Sequence, residues 1–212
     1  MSGLVSLTRL GDAVLRAQGQ RLRFHPGMAL LRIKRLMKGE LDPLVVAADI
    51  RPGESVLDCT LGLAGDALVL AHAIGETGHV LGLEGSPLLA EFAQKGLPSL
   101  LPPAAAPAQR IEVRAIDHRA FLATAAPRSF DVVYFDPMFR HARDAAHGFD
   151  VLRALADPRP LDLPTLEAAK RVARRAVVVK DGAPGIDLVR LGLRPLRSRR
   201  GANLLYARID LA

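Results

Sequence analysis

A single cysteine, Cys59, stands in 212 residues, so no disulfide can close within the chain and a reducing, cytoplasmic setting is expected. No apolar run approaches membrane length. The run Ala67–Ile74, with His72 inside it, is far short of the roughly eighteen residues a span requires. No charged–apolar–small pattern opens the chain, so no signal peptide is expected. Internal repeats are absent, and Leu97–Gln109, rich in proline and alanine, is the one low-complexity stretch. Against these absences, half the residues are hydrophobic, which excludes global disorder. The length suits one α/β domain with a modest extension.

Acids are outnumbered, giving a net charge of +7 that is unevenly spread. Residues 1–50 carry eight basic and four acidic side chains (+4), residues 51–135 six and nine (−3), and residues 136–212 fifteen and nine (+6). A ligand-holding core flanked by polyanion-binding surfaces has this distribution, and so does an arginine-rich composition unrelated to binding.

The chain is organised around Ser55–Asp66, S-V-L-D-C-T-L-G-L-A-G-D. A short apolar run ends on a carboxylate, Asp58. A turn bearing Gly62 and Gly65 follows, and then a helix over Ala64–Ile74. Small residues bring backbone close to a ligand, and the helix start offers N–H groups. Downstream, Val80–Leu83 is a strand ending at Glu84, and Pro87–Lys95 a helix with proline at its tolerated first position. Ile111–Arg114 is a strand with Asp117 beyond it, a short helix covers Ala120–Ala125, and Asp131–Phe135 is a strand ending at Asp136-Pro137. A helix near Leu163–Arg174, a strand Ala176–Lys180, and two strands near Leu193–Leu196 and Leu204–Ile209 complete the pattern. Alternating strands and helices predict a mostly parallel sheet covered on both faces. Such sheets bind ligands outside the strand C-ends, where Asp58, Glu84, Asp117 and Asp136 all fall.

Ahead of this core, residues 1–50 are expected as a basic helical extension. Asp12–Gln20 is a short helix ended by Gly19, Met28–Lys38 an amphipathic helix with a basic face, and Leu41–Ile50 another helix, broken by Arg51-Pro52-Gly53. The basic face is either solvated or in contact with phosphates. Residues 51–212 form the second unit.

Glu84, about twenty residues past the glycine turn, is placed to accept both hydroxyls of a ribose. The turn is not G-x-G-x-x-G and carries acids where a pyrophosphate would be repelled. Asp58 and Asp66 suit a positively charged adenosine cofactor instead, as the sulfonium and amino group of S-adenosylmethionine are. Asp117 either accepts from the adenine amino group or caps the helix that follows. The second informative stretch is Phe130–Phe139, F-D-V-V-Y-F-D-P-M-F. An acid plus the carbonyl of Pro137 can accept both N–H bonds of an exocyclic amine and draw its nitrogen toward tetrahedral geometry. Phe139 can stack on a base taken out of its helix. Asp136, Pro137 and Phe139 are therefore the expected catalytic residues. His141, Asp144 and His147 lack a further ligand, so no metal is expected. Cys59 has no paired histidine, and its expected role is packing.

Asp58–Asp66, Glu84-Gly85-Ser86-Pro87 and Tyr134–Phe139 together resemble the RsmJ-like group of class I methyltransferases, over about residues 55–180, including the V-V-V-K that ends at Lys180. That group includes small-subunit rRNA guanine-N2 methyltransferases. The resemblance implies a Rossmann-like sheet of seven strands with the last antiparallel, S-adenosylmethionine as donor, and a guanine amino group in structured rRNA as target. By it, the cofactor lies against Asp58, Thr60, Leu61, Gly62, Leu63, Gly65 and Asp66. Further contacts come from Glu84, Gly85, Ser86, Asp117, His118 and Asp136. Met138, Arg140, Lys180, Arg32, Arg35, Arg197, Arg199 and Arg200 are the expected RNA contacts. The chain departs from the group's motifs at Ala64 (a turn glycine), Gly85 (an arginine) and Arg140 (a proline), and in its N-terminal segment. A small-molecule methyltransferase, a non-catalytic RNA-binding module and an NAD-dependent oxidoreductase are the competing readings.

Overall fold

The computed structural model describes residues 3–8, 11–137, 152, 154–197 and 201–211. Four parallel strands begin the main sheet in chain order: β4 (Ser55–Asp58), β5 (His79–Glu84), β6 (Ile111–Ala115) and β7 (Phe130–Phe135). β8 (Ala173–Gly182) is parallel to β7, and β9 (Leu204–Asp210) runs antiparallel to β8, giving the order β6-β5-β4-β7-β8-β9. Both faces are buried, and the strand period sorts the side chains. Val56, Val132, Tyr134 and Val178 enter one core cluster, and Leu57, Val133, Phe135, Val177 and Val179 the other. Helices α3 (Gly65–Ala73) and α4 (Pro87–Gly96), with the single turn α5 (Ala105–Ala108), cover the first face. Helix α6 (His118–Thr124) and the helices Leu163–Val172 and Ile186–Arg190 cover the second.

Among the described residues six strands pair in this sheet, where seven are expected. Leu193–Leu196 is not a strand; its Leu196 N–H donates to the Tyr206 carbonyl at 2.7 Å, but Pro195 has no N–H to continue a ladder.

The extension is not wholly helical. β1 (Gly3–Leu7), β2 (Ala13–Ala17) and β3 (Gln20–Arg23) form an antiparallel meander where a helix is expected over Asp12–Gln20. Gln18 and Gly19 both take positive φ (53° and 72°), the two-residue turn whose twist matches a hairpin. A nine-residue helix has little intrinsic stability. The strands instead bury Val5, Ala13, Leu15 and Ala17 in the first core cluster, next to Phe92 of α4. Two helices follow, α1 (Ala29–Leu36) and α2 (Pro43–Ala48), close to the expected spans. Asp42 caps α2, accepting from the Leu44 and Val45 N–H groups at 3.0 and 3.3 Å, with Pro43 at the position where a missing N–H costs nothing. Phe24 then packs edge-on against Phe92 (5.4 Å, 88°), so the extension shares a core with the sheet.

Candidate active site

Strand order reverses between β4 and β7. β5 and β6 lie to one side of β4, and the chain then crosses back to place β7 on the other, which opens a crevice at the C-ends of these two strands. The turn after β4 is held by its neighbours' strand ends. The Thr60 N–H donates to Asp58 Oδ1 (3.0 Å), the Leu61 N–H to the Leu83 carbonyl (3.0 Å), and the Asp136 N–H to Thr60 Oγ1 (2.6 Å). Glu84 accepts from the Gly62 N–H with Oε2 (3.0 Å) and from the Ser86 N–H with Oε1 (2.9 Å), leaving each oxygen a second lone pair. Gly62 has φ 53° with open space where a Cβ would be. Ala64, the position where the resembled motif has glycine, adopts φ 59° all the same. Gly82 is needed for a different reason, since the Leu61 side chain lies 2.5 Å from where its Cβ would sit.

Below the turn runs a line of charges. Arg32, on α1, makes a two-pronged pair with Asp42 (Nε–Oδ2 2.7 Å, Nη2–Oδ1 2.8 Å) and also bonds Asp66 Oδ1. Asp66 Oδ2 accepts from Tyr134 Oη (2.7 Å) and Lys180 Nζ (2.8 Å), and Lys180 Nζ donates again to Asp136 Oδ2 (2.7 Å). Burial works to raise Asp66, but Lys180 and Arg32 overcome it and hold this carboxyl far below the usual range. Burial likewise opposes the charge on Lys180, and Asp136 and Asp66 more than offset it, lifting the ammonium above its ordinary value. Asp136 is pushed up to about 6 by burial, with Lys180 pulling the other way. Asp58 has no cation in contact. Burial takes its carboxyl to about 8, with Thr60 as the restraint and Asp66 and Asp136 adding repulsion. Two buried atoms, Asp136 Oδ1 and His118 Nε2, have no hydrogen-bond partner among the described residues. The His118 ring stands edge-on to Phe135 (5.8 Å, 80°), and burial, with Arg119, pulls its pKa below the usual imidazole value.

These groups surround a cavity of about 530 Å³. The turn forms its floor. Leu22, Arg23, His25 and Met28 of the extension line it, as do His118, Asp157 and Arg159. Its size and its mixture of apolar surface with a few convergent polar groups are those of a small-molecule site.

Residues 18–189 match the family model described as "Putative SAM-dependent methyltransferase". The chain belongs to this family. Among curated relatives, protein YpiP of Bacillus subtilis is 40% identical over 167 residues, 77% of this chain and 65% of that one. Proteins named ribosomal RNA small subunit methyltransferase J are 36% identical in Thioalkalivibrio sulfidiphilus (66% of this chain, 56% of that one) and 31% identical in Coxiella burnetii (72% and 63%). The chain thus spans less than two thirds of the length of these relatives. In fold it is similar to the SAM-dependent methyltransferase NGO1261 from Neisseria gonorrhoeae, with TM-score 0.63 and 21% identity over 94% of this chain and 79% of that one.

S-adenosylmethionine is the cofactor of the family, and the cavity suits it. Asp58 is a buried carboxyl lacking a cation, Glu84 keeps acceptor capacity at the end of β5, and the Gly62 and Gly85 positions leave open space beside the backbone. Of the residues expected to hold it, Asp58, Thr60, Leu61, Gly62, Leu63, Gly65 and Asp66 line the cavity, as do Glu84, Gly85, His118 and Asp136; Pro137, expected in catalysis, lines it too. Ser86 contributes its N–H to Glu84 and is not in the lining. Asp117 is also outside the lining; it caps α6 through the Arg119 and Ala120 N–H groups (2.7 and 3.4 Å) and pairs with Arg159. Asp66 corrects an expectation: its charge is met by Arg32 and Lys180, so Asp58 is the acid left to face a cation.

Among the expected RNA contacts, two turn inward. Arg32 and Lys180 line the cavity with their charges engaged by buried aspartates, so neither is a surface phosphate contact. Arg35 is exposed and pairs with Glu40 at 2.7 Å, and Arg197 is exposed. Met138, Phe139, Arg140, Arg199 and Arg200, with His141, Asp144 and His147, lie outside the described residues. Cys59 is buried, and burial drives its thiol well up, as a packing residue requires. The line of charges was not visible in sequence because its members are 10 to 114 residues apart. One signal existed: Lys180 follows the apolar run of β8, and Phe135 pairs with Val179 in register, which sets Lys180 beside Asp136. No helix among the described residues is long and apolar enough to cross a membrane.

Proposed function

We propose that the protein transfers a methyl group to an exocyclic amine of a nucleobase in structured RNA, with guanine N2 in rRNA as the specific target. The observation that carries this reading is Asp136 at the cavity: one carboxylate oxygen held by Lys180, the other buried with no partner among the described residues, and Pro137 next in the chain. S-adenosylmethionine supplies an electrophilic methyl on a cationic sulfur. Asp136 and the Pro137 carbonyl accept the two N–H bonds of the amine and turn its lone pair out of conjugation. Its proton becomes acidic only as the N–C bond forms, and it leaves to solvent, so no strong base is required. Phe139 stacks on the base. Asp58 and Glu84 bind the positive charge and the ribose, respectively. Glu84 also keeps the Gly62 turn in place.

The relatives named as rRNA methyltransferases support RNA as the acceptor, as does the presence of Arg23, paired with Asp12, and His25 in the cavity lining. A small-molecule acceptor is the competing reading, and salt separates the two. RNA affinity that falls steeply between about 50 and 200 mM salt supports the proposal, and no measurable RNA binding supports the rival. The mechanism is tested with Asp136→Ala, using tritiated cofactor and RNA from cells lacking the gene. Loss of methyl transfer with cofactor binding retained is expected; transfer at the parental rate defeats the mechanism.

A further inference from the structure

The charge line beneath the cavity does more than balance itself. Of the two Asp136 carboxylate oxygens, Oδ2 accepts from Lys180 Nζ at 2.7 Å, while Oδ1 is buried and has no partner among the described residues. Lys180 is in turn fixed from its other side by Asp66 Oδ2 at 2.8 Å, and Asp66 is clamped by Tyr134 (2.7 Å) and by Arg32, which Asp42 holds in a two-pronged grip. An ammonium with two carboxylates in hydrogen-bond reach cannot swing out to solvent without leaving both charges buried and unpaired, which is strongly unfavourable.

We propose that Lys180 is a positioning residue for Asp136: by occupying Oδ2 it fixes the carboxylate plane, keeps the group ionised, and leaves Oδ1 as the one acceptor for the incoming amine. Asp66 and Arg32 are the outer part of the same device, carrying it from the sheet to helix α1. The inference rests on the amine-acceptor role given to Asp136 above. It assigns Lys180 a function opposite to the phosphate contact that its place on the strand-end rim suggests. Among the described residues, the ionisable groups facing Lys180 are Asp66 from α3, Asp136 beyond β7, Tyr206 on β9 and Asp58 at the end of β4, with Tyr134 on β7 bonded to the same Asp66 oxygen. Its two aspartates make the hydrogen bonds to it among the described residues.

The test compares Lys180→Met, Lys180→Arg and the parent protein in three measurements. In ¹³C spectra of protein labelled at aspartate Cγ, with the Asp136 signal assigned by its loss in Asp136→Asn, Lys180→Met moves the Asp136 titration up by at least one pH unit, and Lys180→Arg restores part of that shift. Cofactor affinity by calorimetry is unchanged or tighter in Lys180→Met, because a positive charge has left a site that binds a cation. Methyl transfer to RNA from cells lacking the gene falls at least tenfold at pH 7, with the acid limb of the rate profile displaced upward by the same shift. An unmoved Asp136 titration overturns the inference, whatever the activity. So does a loss of cofactor affinity and thermal stability together with an unshifted acid limb, the result of a merely structural lysine. Those outcomes leave the role of Asp136 intact, whereas full activity in Asp136→Ala removes that role and the inference with it.

Discussion

Asp58 is where the cavity departs furthest from ordinary solution chemistry. Its carboxyl is 2% exposed, accepts one N–H from Thr60, and has two other aspartates nearby, so it holds its proton up to about pH 8. A raised carboxyl means the fold favours the neutral form. The associated stability is fully present below about pH 4 and is lost as pH rises through 8. Against an ordinary value of 3.8, about four pH units separate the two states, and at about 1.4 kcal/mol each the ceiling is roughly 6 kcal/mol. The amide introduced by Asp58→Asn keeps an oxygen for the Thr60 N–H and cannot ionise, although its amide hydrogens lack a partner at a cost of about 1–2 kcal/mol. Urea unfolding between pH 5 and 8.5 checks the reasoning. The variant should equal or trail the parent at pH 5 and exceed it by about 2–4 kcal/mol at pH 8.5. Cofactor binding supplies a second arm. A cation beside Asp58 expels its proton, so calorimetry at pH 7 in buffers of different ionisation enthalpy should detect proton release that Asp58→Asn abolishes. Parallel stability curves for the two proteins, with no difference in proton release, would refute the account.

Three further substitutions probe the same architecture. Arg32→Ala strands Asp42 and part of the Asp66 charge in the interior and should cost about 3–5 kcal/mol by thermal or urea unfolding; Arg32→Lys should recover less than half, because an ammonium cannot make the two-pronged pair. A loss under about 1 kcal/mol for Arg32→Ala would mean that the line of charges contributes little to the fold. Tyr134→Phe removes one bond from an Asp66 that keeps both cations, so about 1–2 kcal/mol is expected in denaturant melts, and a loss near that of Arg32→Ala would contradict that order. Gly62→Ala meets open space at φ 53° and should lose only about 1–2 kcal/mol of stability while weakening cofactor binding at least tenfold; an unchanged affinity would place the cofactor away from this turn.

The sheet was legible in the sequence because the central strands β4, β5 and β7 are each a short apolar run followed or ended by an acid, and the acid marks the end from which ligands are approached. Val56-Leu57-Asp58, Leu83-Glu84 and Phe135-Asp136 needed no long-range information, since burial on both faces and a strand C-end are local properties. Three things were decided elsewhere. The meander over residues 3–23 overrode a weak helical pattern because its strands found a surface beside Phe92, and that surface lies some seventy residues away in the chain. Leu193–Leu196 had the composition of a strand but not the hydrogen-bonding capacity, for Pro195 interrupts it. Above all, the sign of Arg32 and Lys180 was plain from sequence, and their direction was not. A basic residue on an amphipathic helix or at a strand end points to solvent unless something buried attracts it. Asp42, Asp66 and Asp136 do so only once α1, α3 and β8 are packed together. Sequence determines which charges a chain carries; which of them meet is settled by the topology that brings distant segments within a few ångströms, where the loss of water makes each pairing decisive.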